Sequence, residues 1–211
     1  MATSKKPTGK RRTTPYHHGN LRRALLDEAL ATIRDGGAGA LTLREIGARV
    51  GVSRSALYRH FADKGDLLAA VATEGFRTLR LGLIAAWEDG GPRDAAFRSM
   101  GIAYVRFAVA NPAHYRVMFG GAVDEAMRGP ELATEAQGAF QALVDALAHL
   151  QRDGLVRADD TMQMATYVWS LVHGMAMLAI DRKLPDPDAI DTLVPFALER
   201  LQTGIATRPA T

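Results

Sequence analysis

Residues 41–61, "LTLREIGARVGVSRSALYRHF", constrain the fold more than any other stretch. An apolar triad at helical spacing (Leu43, Ile46, Val50) is followed by an apolar pair (Leu57, Phe61), with Gly51 between them. Helices of about two turns are unstable alone, so each must dock on a further helix. Thr42 with Glu45 three residues on forms a capping box for the first. Gly51 ends it, and Ser53 suits the N-cap of the second, which the pattern carries to about Phe61. Two short helices joined through one glycine make a helix-turn-helix.

The rest of the chain supplies what they dock on. From Asn20, the stripe Leu21, Leu25, Ala29 and Ile33 predicts a first helix ended by Gly36-Gly37. Asp63 caps a fourth helix over about residues 64–88, through Leu67, Val71, Leu79 and Leu83 to Trp87. Asp94 is expected to cap a helix to about Ala110, and Asn111 the next, with Pro112 at its first position. Residues 120–132 read as a loop, and Pro130 to about Asp153 as a helix. Thr161–Leu184 is apolar almost all round. "PDPD" separates it from a last helix with Ile190, Val194 and Leu198 among its apolar face. No period-2 strand and no internal repeat is found. The predicted class is all-α: a three-helix helix-turn-helix head, residues 16–63, joined by the long fourth helix to a helical body, residues 64–204. Residues 1–15 read as a disordered basic arm and 205–211 as a tail.

Charge separates the same two parts. Residues 1–60 hold 12 Lys+Arg against 4 Asp+Glu, and the remainder 14 against 19, although the whole chain is only +3. A basic head on an acidic body points to a polyanion partner for the head. Cysteine is absent, which removes disulfides, zinc-thiolate sites and thiol catalysis. The basic N-terminus has no apolar run behind it and does not read as a secretory signal, and no stretch is apolar enough for a membrane span; a cytoplasmic protein is expected. No phosphate-binding or nucleophile motif and no acid–base carboxylate pair stands out. His17 and His18 lack a third ligand at metal spacing, and no metal or cofactor is expected.

On a helical wheel of residues 52–61, Leu57 and Phe61 face the core. Ser55 and Arg59 fall opposite with Ala56 nearby, and Tyr58 and His60 lie on the flanks. A helix in a DNA major groove needs small or hydrogen-bonding residues toward base edges and phosphate-reaching side chains at each wall. Arg54 lies in the first turn, and Thr42 begins the preceding helix, where a hydroxyl and free N–H groups suit a phosphate oxygen.

Residues 41–68, "LTLREIGARVGVSRSALYRHFADKGDLL", resemble the DNA-binding segment of the TetR family of bacterial transcriptional regulators, most specifically in Leu57-Tyr58, His60-Phe61 and Lys64. "NPAHYRVMF" (111–119) and "VWSLVHGMAML" (168–178) resemble the Trp-His-Gly type of effector domain of that family. By position, the resemblance implies base contacts from Arg44, Arg54, Ser55 and Ala56. It implies phosphate contacts from Thr42, Tyr58, His60 and Lys64; Arg59 joins these as a backbone or base contact. The family's usual action implies a repressor that binds a palindromic operator as a homodimer and releases it to a small apolar effector. For the effector pocket the expected residues are Met100, Tyr104, Phe107, Phe140, Val144, Trp169, Val172, His173 and Met177, since methionine and aromatics suit an adaptable apolar cavity. His173 reads more readily as a satisfied core histidine than as a ligand contact. Leu193, Ala197 and Leu201 are expected at the dimer interface. Two other readings stay open: an architectural DNA binder without ligand control, and a helical small-molecule enzyme with an incidental basic head.

Overall fold

The computed structural model describes residues 18–123, 129–184 and 190–206; the basic arm, His17, "PDPD" and part of the 120–132 loop lie outside them. Among the described residues the chain is helical, with one isolated bridge between Val156 and Ala206. The helices are α1 (His18–Gly36), α2 (Leu43–Val50), α3 (Arg54–Tyr58), α4 (Lys64–Asp89), α5 (Arg93–Ala110), α6 (Pro112–Phe119), α7 (Pro130–Arg152), α8 (Thr161–Ile180) and α9 (Ile190–Ile205), with a 3₁₀ turn at Ala38–Ala40.

The head forms as its stripes predict. Leu21, Leu25, Ala29 and Ile33 of α1 are buried with Leu43, Ile46, Leu57 and Phe61. Gly51 takes φ 78°, the left-handed region that ends α2 without a Cβ penalty. A Cβ on Gly47 would sit 2.9 Å from Leu57 Cδ1, so this glycine lets α2 and α3 approach closely. The Ser53 hydroxyl accepts from the Ala56 N–H and the Asp63 carboxylate from the Asp66 N–H, as expected of the two caps.

Several boundaries differ from the sequence reading. Helix α3 stops at Tyr58, not Phe61, because the chain tightens there into a bond from the His60 N–H to the Leu57 carbonyl at 2.9 Å. Helix α5 is capped by Pro92, which leaves Asp94 in its first turn facing Arg98. Asn111 precedes α6, but its amide donates back to the Phe107 carbonyl of α5. Helix α8 ends at Ile180 rather than Leu184. Arg182 adopts φ 53°, with its N–H on the Ala179 carbonyl and that of Lys183 on the Leu178 carbonyl, a Schellman stop.

Helix α4 is the axis of the molecule, about 39 Å long at 1.5 Å per residue. Its first turns pack in the head, and further along it lies against α5, α6 and α7. Helix α5 in turn carries α8 and α9. The buried apolar side chains form one continuous cluster from Leu21 to Ile205.

Candidate functional site

Two places in this frame can do chemistry: the outer face of α2–α3 and a cavity inside the body. On the outer face, Arg44, Arg54, Ser55, Tyr58 and Arg59 are exposed, and Ala56 and His60 are half-buried. Arg44, Arg54 and Tyr58 line one cleft between α2 and α3. The Arg54 guanidinium lies 5.4 Å from the centre of the Tyr58 ring. Arg44, Arg54 and Arg59 have no carboxylate partner among the described residues, whereas Arg23, Arg49, Arg77, Arg80, Arg106 and Arg116 are all ion-paired. Unpaired, exposed guanidiniums on one face are free to meet phosphates or guanine edges.

Two of the expected phosphate contacts already have partners. The Lys64 ammonium donates to the Gly39 carbonyl at 3.2 Å, which ties the start of α4 to the turn after α1. The Thr42 hydroxyl accepts from the Glu45 N–H and donates to the Glu45 carboxylate at 2.7 Å. A phosphate oxygen there competes with that carboxylate.

The body holds a partly open cavity of about 310 Å³. Of the expected pocket residues, Met100, Tyr104, Phe140, Trp169 and Val172 line it. Phe107, Val144, His173 and Met177 do not, although all four are half-buried. The sequence reading missed the wall supplied by α4, namely Phe76, Leu79 and Leu83, together with Phe119 of α6 and Leu198 of α9. The α4 stripe was visible as a stripe, but nothing in it tells a void from a packed neighbour. Trp87, near the end of α4, lies in an outer groove, tilted on His149 at 6.0 Å and with the Arg93 guanidinium 4.7 Å from its ring centre.

The lining contains no charged side chain. Its polar atoms belong to a chain of hydrogen bonds. Trp169 Nε1–H donates to the Tyr104 hydroxyl at 3.0 Å, and the Tyr104 and Tyr115 hydroxyls are 2.9 Å apart. Nδ1 of His173 is 2.7 Å from the Tyr115 hydroxyl and 3.3 Å from that of Tyr104. His173 thus sits one residue behind the cavity surface. Burial pushes the Tyr104 hydroxyl up to about 12, against the opposing pull of its bonds from Tyr115 and Trp169. Burial, with the Tyr104 oxygen alongside, pushes Tyr115 higher still. Burial also holds His173 below the ordinary imidazole value, so the whole chain is uncharged at pH 7.

Helix α7 is clamped to α4 by charge. Glu135, 8% exposed, accepts from Arg77 Nε at 2.9 Å and Arg80 Nε at 2.8 Å. Both arginines hold its carboxyl below the usual range. Between head and body, Arg23 of α1 pairs with Glu74 of α4, which also bonds His114 of α6 at 3.3 Å.

On the outside of α8 and α9, Met162, Tyr167, Leu178 and Phe196 are exposed, the last 55%. Of the expected interface residues, Leu193 and Ala197 are half-buried, while Leu201 is 4% exposed and points into the body of its own chain. Among the described residues, no cluster of three or more His, Asp or Glu could hold a metal ion, and no helix is long and apolar enough to cross a membrane.

A helix-turn-helix head with an unpaired basic face, mounted on a helical body, defines a protein of the transcriptional-regulator class. The model for bacterial regulatory proteins of the tetR family matches residues 25–71, and that for a tetracyclin repressor-like C-terminal domain matches residues 97–201. The chain belongs to the TetR family. An uncharacterized HTH-type transcriptional regulator of Mycobacterium tuberculosis is 34% identical over 116 residues, 54% of this chain and 49% of that protein. The chain therefore spans about half the length of that curated relative. The HTH-type transcriptional activator FasR of Mycolicibacterium smegmatis is 27% identical over 92% of this chain and 89% of its own. A solved protein of unknown function from Rhodococcus sp. RHA1 superposes with a TM-score of 0.82, at 30% identity, over 92% of this chain and all of the other. The two curated relatives are named as transcriptional regulators, which favours the regulator reading over the enzyme one.

Proposed function

We propose that this protein is a ligand-responsive transcriptional repressor in the cytoplasm. It binds a palindromic operator as a homodimer and releases it when a largely apolar small molecule enters the body. The observation that carries the reading is the clustering of Arg44, Arg54 and Arg59, exposed and without carboxylate partners among the described residues, on the outer side of α2–α3. In this reading residues 16–63 are the DNA-binding head and residues 64–204 the effector and dimer body, with Trp169, His173 and Gly174 marking the Trp-His-Gly type. Arg44, Arg54, Ser55 and Ala56 meet base edges. Thr42, Tyr58, Arg59, His60 and Lys64 hold the backbone. The apolar outer face of α8 and α9 pairs with a second copy, which sets the two heads one DNA turn apart, roughly 34–36 Å.

Release works through α4. Phe76, Leu79 and Leu83 wall the cavity, while at the other end of the same helix Lys64 is bonded to the Gly39 carbonyl of the head. Ligand that prefers one position of α4 biases the spacing of the two heads, and a coupling of about 1–3 kcal/mol weakens operator binding roughly 5–150-fold. The test is selection of bound DNA from a random pool by the full chain, followed by titration of small apolar compounds against the protein–operator complex. A palindromic consensus that a compound releases supports the reading. Binding without sequence preference, or a complex indifferent to compounds that do bind the protein, refutes it.

A further inference from the structure

The cavity wall carries five aromatic rings besides Tyr104, and its one hydroxyl is that of Tyr104. At about 310 Å³ the cavity falls at the lower end of the roughly 300–1,000 Å³ typical of small-molecule pockets. An ionised ligand would meet no counter-charge on this wall, and burying an unpaired carboxylate is strongly unfavourable. The aromatic wall suits a flat ring that stacks or meets edges.

The hydroxyl chain behind Tyr104 is reversible. With the His173 proton on Nδ1, that N–H donates to the Tyr115 oxygen and Tyr115 donates to Tyr104. Tyr104 already accepts from Trp169, so its own proton is left for the cavity. With the proton on Nε2, Tyr115 donates to Nδ1 and Tyr104 donates to Tyr115. Tyr104 then offers the cavity only a lone pair. Both arrangements keep the same heavy-atom positions, and neither moves a charge.

We propose that the cavity takes an uncharged, compact aromatic molecule with one hydrogen-bonding group, which Tyr104 meets as donor or as acceptor according to the tautomer of His173. Tyr104 is the residue that determines specificity, and His173 is a positioning residue. The proposal rests on the cavity being the effector site.

Four probes test it with the full-length chain: naphthalene, which has no hydrogen-bonding group, quinoline, which only accepts, indole, which only donates, and 2-naphthoate, which is charged. Affinities are measured by calorimetry for the parent and for Tyr104→Phe, with no DNA present. Naphthalene is expected to bind both proteins equally. Quinoline and indole are expected to lose about two- to tenfold in the variant, and 2-naphthoate to bind the parent at least ~100-fold more weakly than naphthalene. Side-chain ¹⁵N spectra, with His173 assigned by its loss in His173→Gln, are expected to show Nδ1 protonated with quinoline and Nε2 protonated with indole. Naphthoate binding as tightly as naphthalene overturns the exclusion of charge. Unchanged quinoline and indole affinities in Tyr104→Phe overturn the role of Tyr104. One tautomer in both complexes overturns the reversible chain. If no neutral probe binds, both this proposal and the cavity as effector site fail, while the reading of the α2–α3 face stands on the DNA selection alone.

Discussion

Replacing Glu135 with glutamine tests whether the clamp between α4 and α7 holds the wall of the cavity in place. The carboxylate is buried and takes one guanidinium bond on each oxygen, at 2.9 Å from Arg77 and 2.8 Å from Arg80. Hydrogen bonds to charged groups contribute about 1.5–3 kcal/mol each, so two set an upper range of about 3–6 kcal/mol. Two features reduce it. Arg77 is about half exposed and keeps Glu131 at 2.8 Å, and a glutamine oxygen still accepts from one arginine. The expected loss is about 2–3 kcal/mol, or a drop in Tm of roughly 4–12 °C for a chain of this size. Glu131→Gln is the control: Glu131 is 69% exposed, and its loss should cost about 0.5 kcal/mol or less. The pH dependence has a definite sign. The arginines depress the folded pKa of Glu135 below the ordinary carboxyl range. Its contribution is therefore complete above that range and is lost as pH falls through the lower folded value. Urea unfolding at fixed protein concentration, at pH 7.5 and near pH 3, reads the gap between parent and Glu135→Gln. The gap should be full at pH 7.5 and narrowed near pH 3. A gap under about 0.5 kcal/mol at pH 7.5, or one unchanged near pH 3, refutes the clamp.

Arg44→Ala and Arg54→Ala should each cost about 1–3 kcal/mol on the selected operator and less on random DNA, measured by fluorescence anisotropy; equal losses on both would make them phosphate contacts. Lys64→Ala should weaken binding to all DNA and lower the salt slope by roughly one unit per half-site lysine, as read by titration at several salt concentrations. Because Lys64 also holds the Gly39 carbonyl, its thermal stability must be measured alongside. Phe196→Asp, and more mildly Ala197→Asp, should give monomers in analytical ultracentrifugation that hold the operator far more weakly, since Phe196 is the more exposed of the two. Dimers in both variants would move the interface away from α9.

What the sequence made legible follows the range over which each force acts. Caps and stripes are local, so Ser53, Gly51 and Asp63 and the buried series Leu21 to Ile33 were readable from spacing. Boundaries failed for local reasons: Asn111 bonds back to Phe107, and α5 begins at Arg93 with Pro92 at its N-cap position, which puts Asp94 inside the first turn. The cavity was half legible. Periodicity marks Tyr104, Trp169 and Val172 as inward, but Phe107 and Met177 are inward too and pack on neighbouring helices. Whether an inward residue meets a void or a neighbour is decided by crossing geometry that no single helix encodes. Leu201 failed the same way: its stripe is apolar, yet α9 turns that side toward its own body. Tyr115 falls in the NPAHYRVMF stretch, but nothing local marked its role, which comes from meeting two residues 11 and 58 positions away.

The length of α4 has an electrical consequence. It holds a head rich in arginine apart from a body with surplus acid, so a chain of net charge only +3 carries a large dipole directed along that helix. In the field of a DNA duplex such a charge distribution feels a torque as well as a pull, which favours approach with the basic end leading. Collisions that lead with the body are disfavoured, and productive ones are enriched. Salt damps the torque within a Debye length of about 8 Å at physiological ionic strength, so the search for DNA slows with added salt more steeply than the net charge alone would suggest.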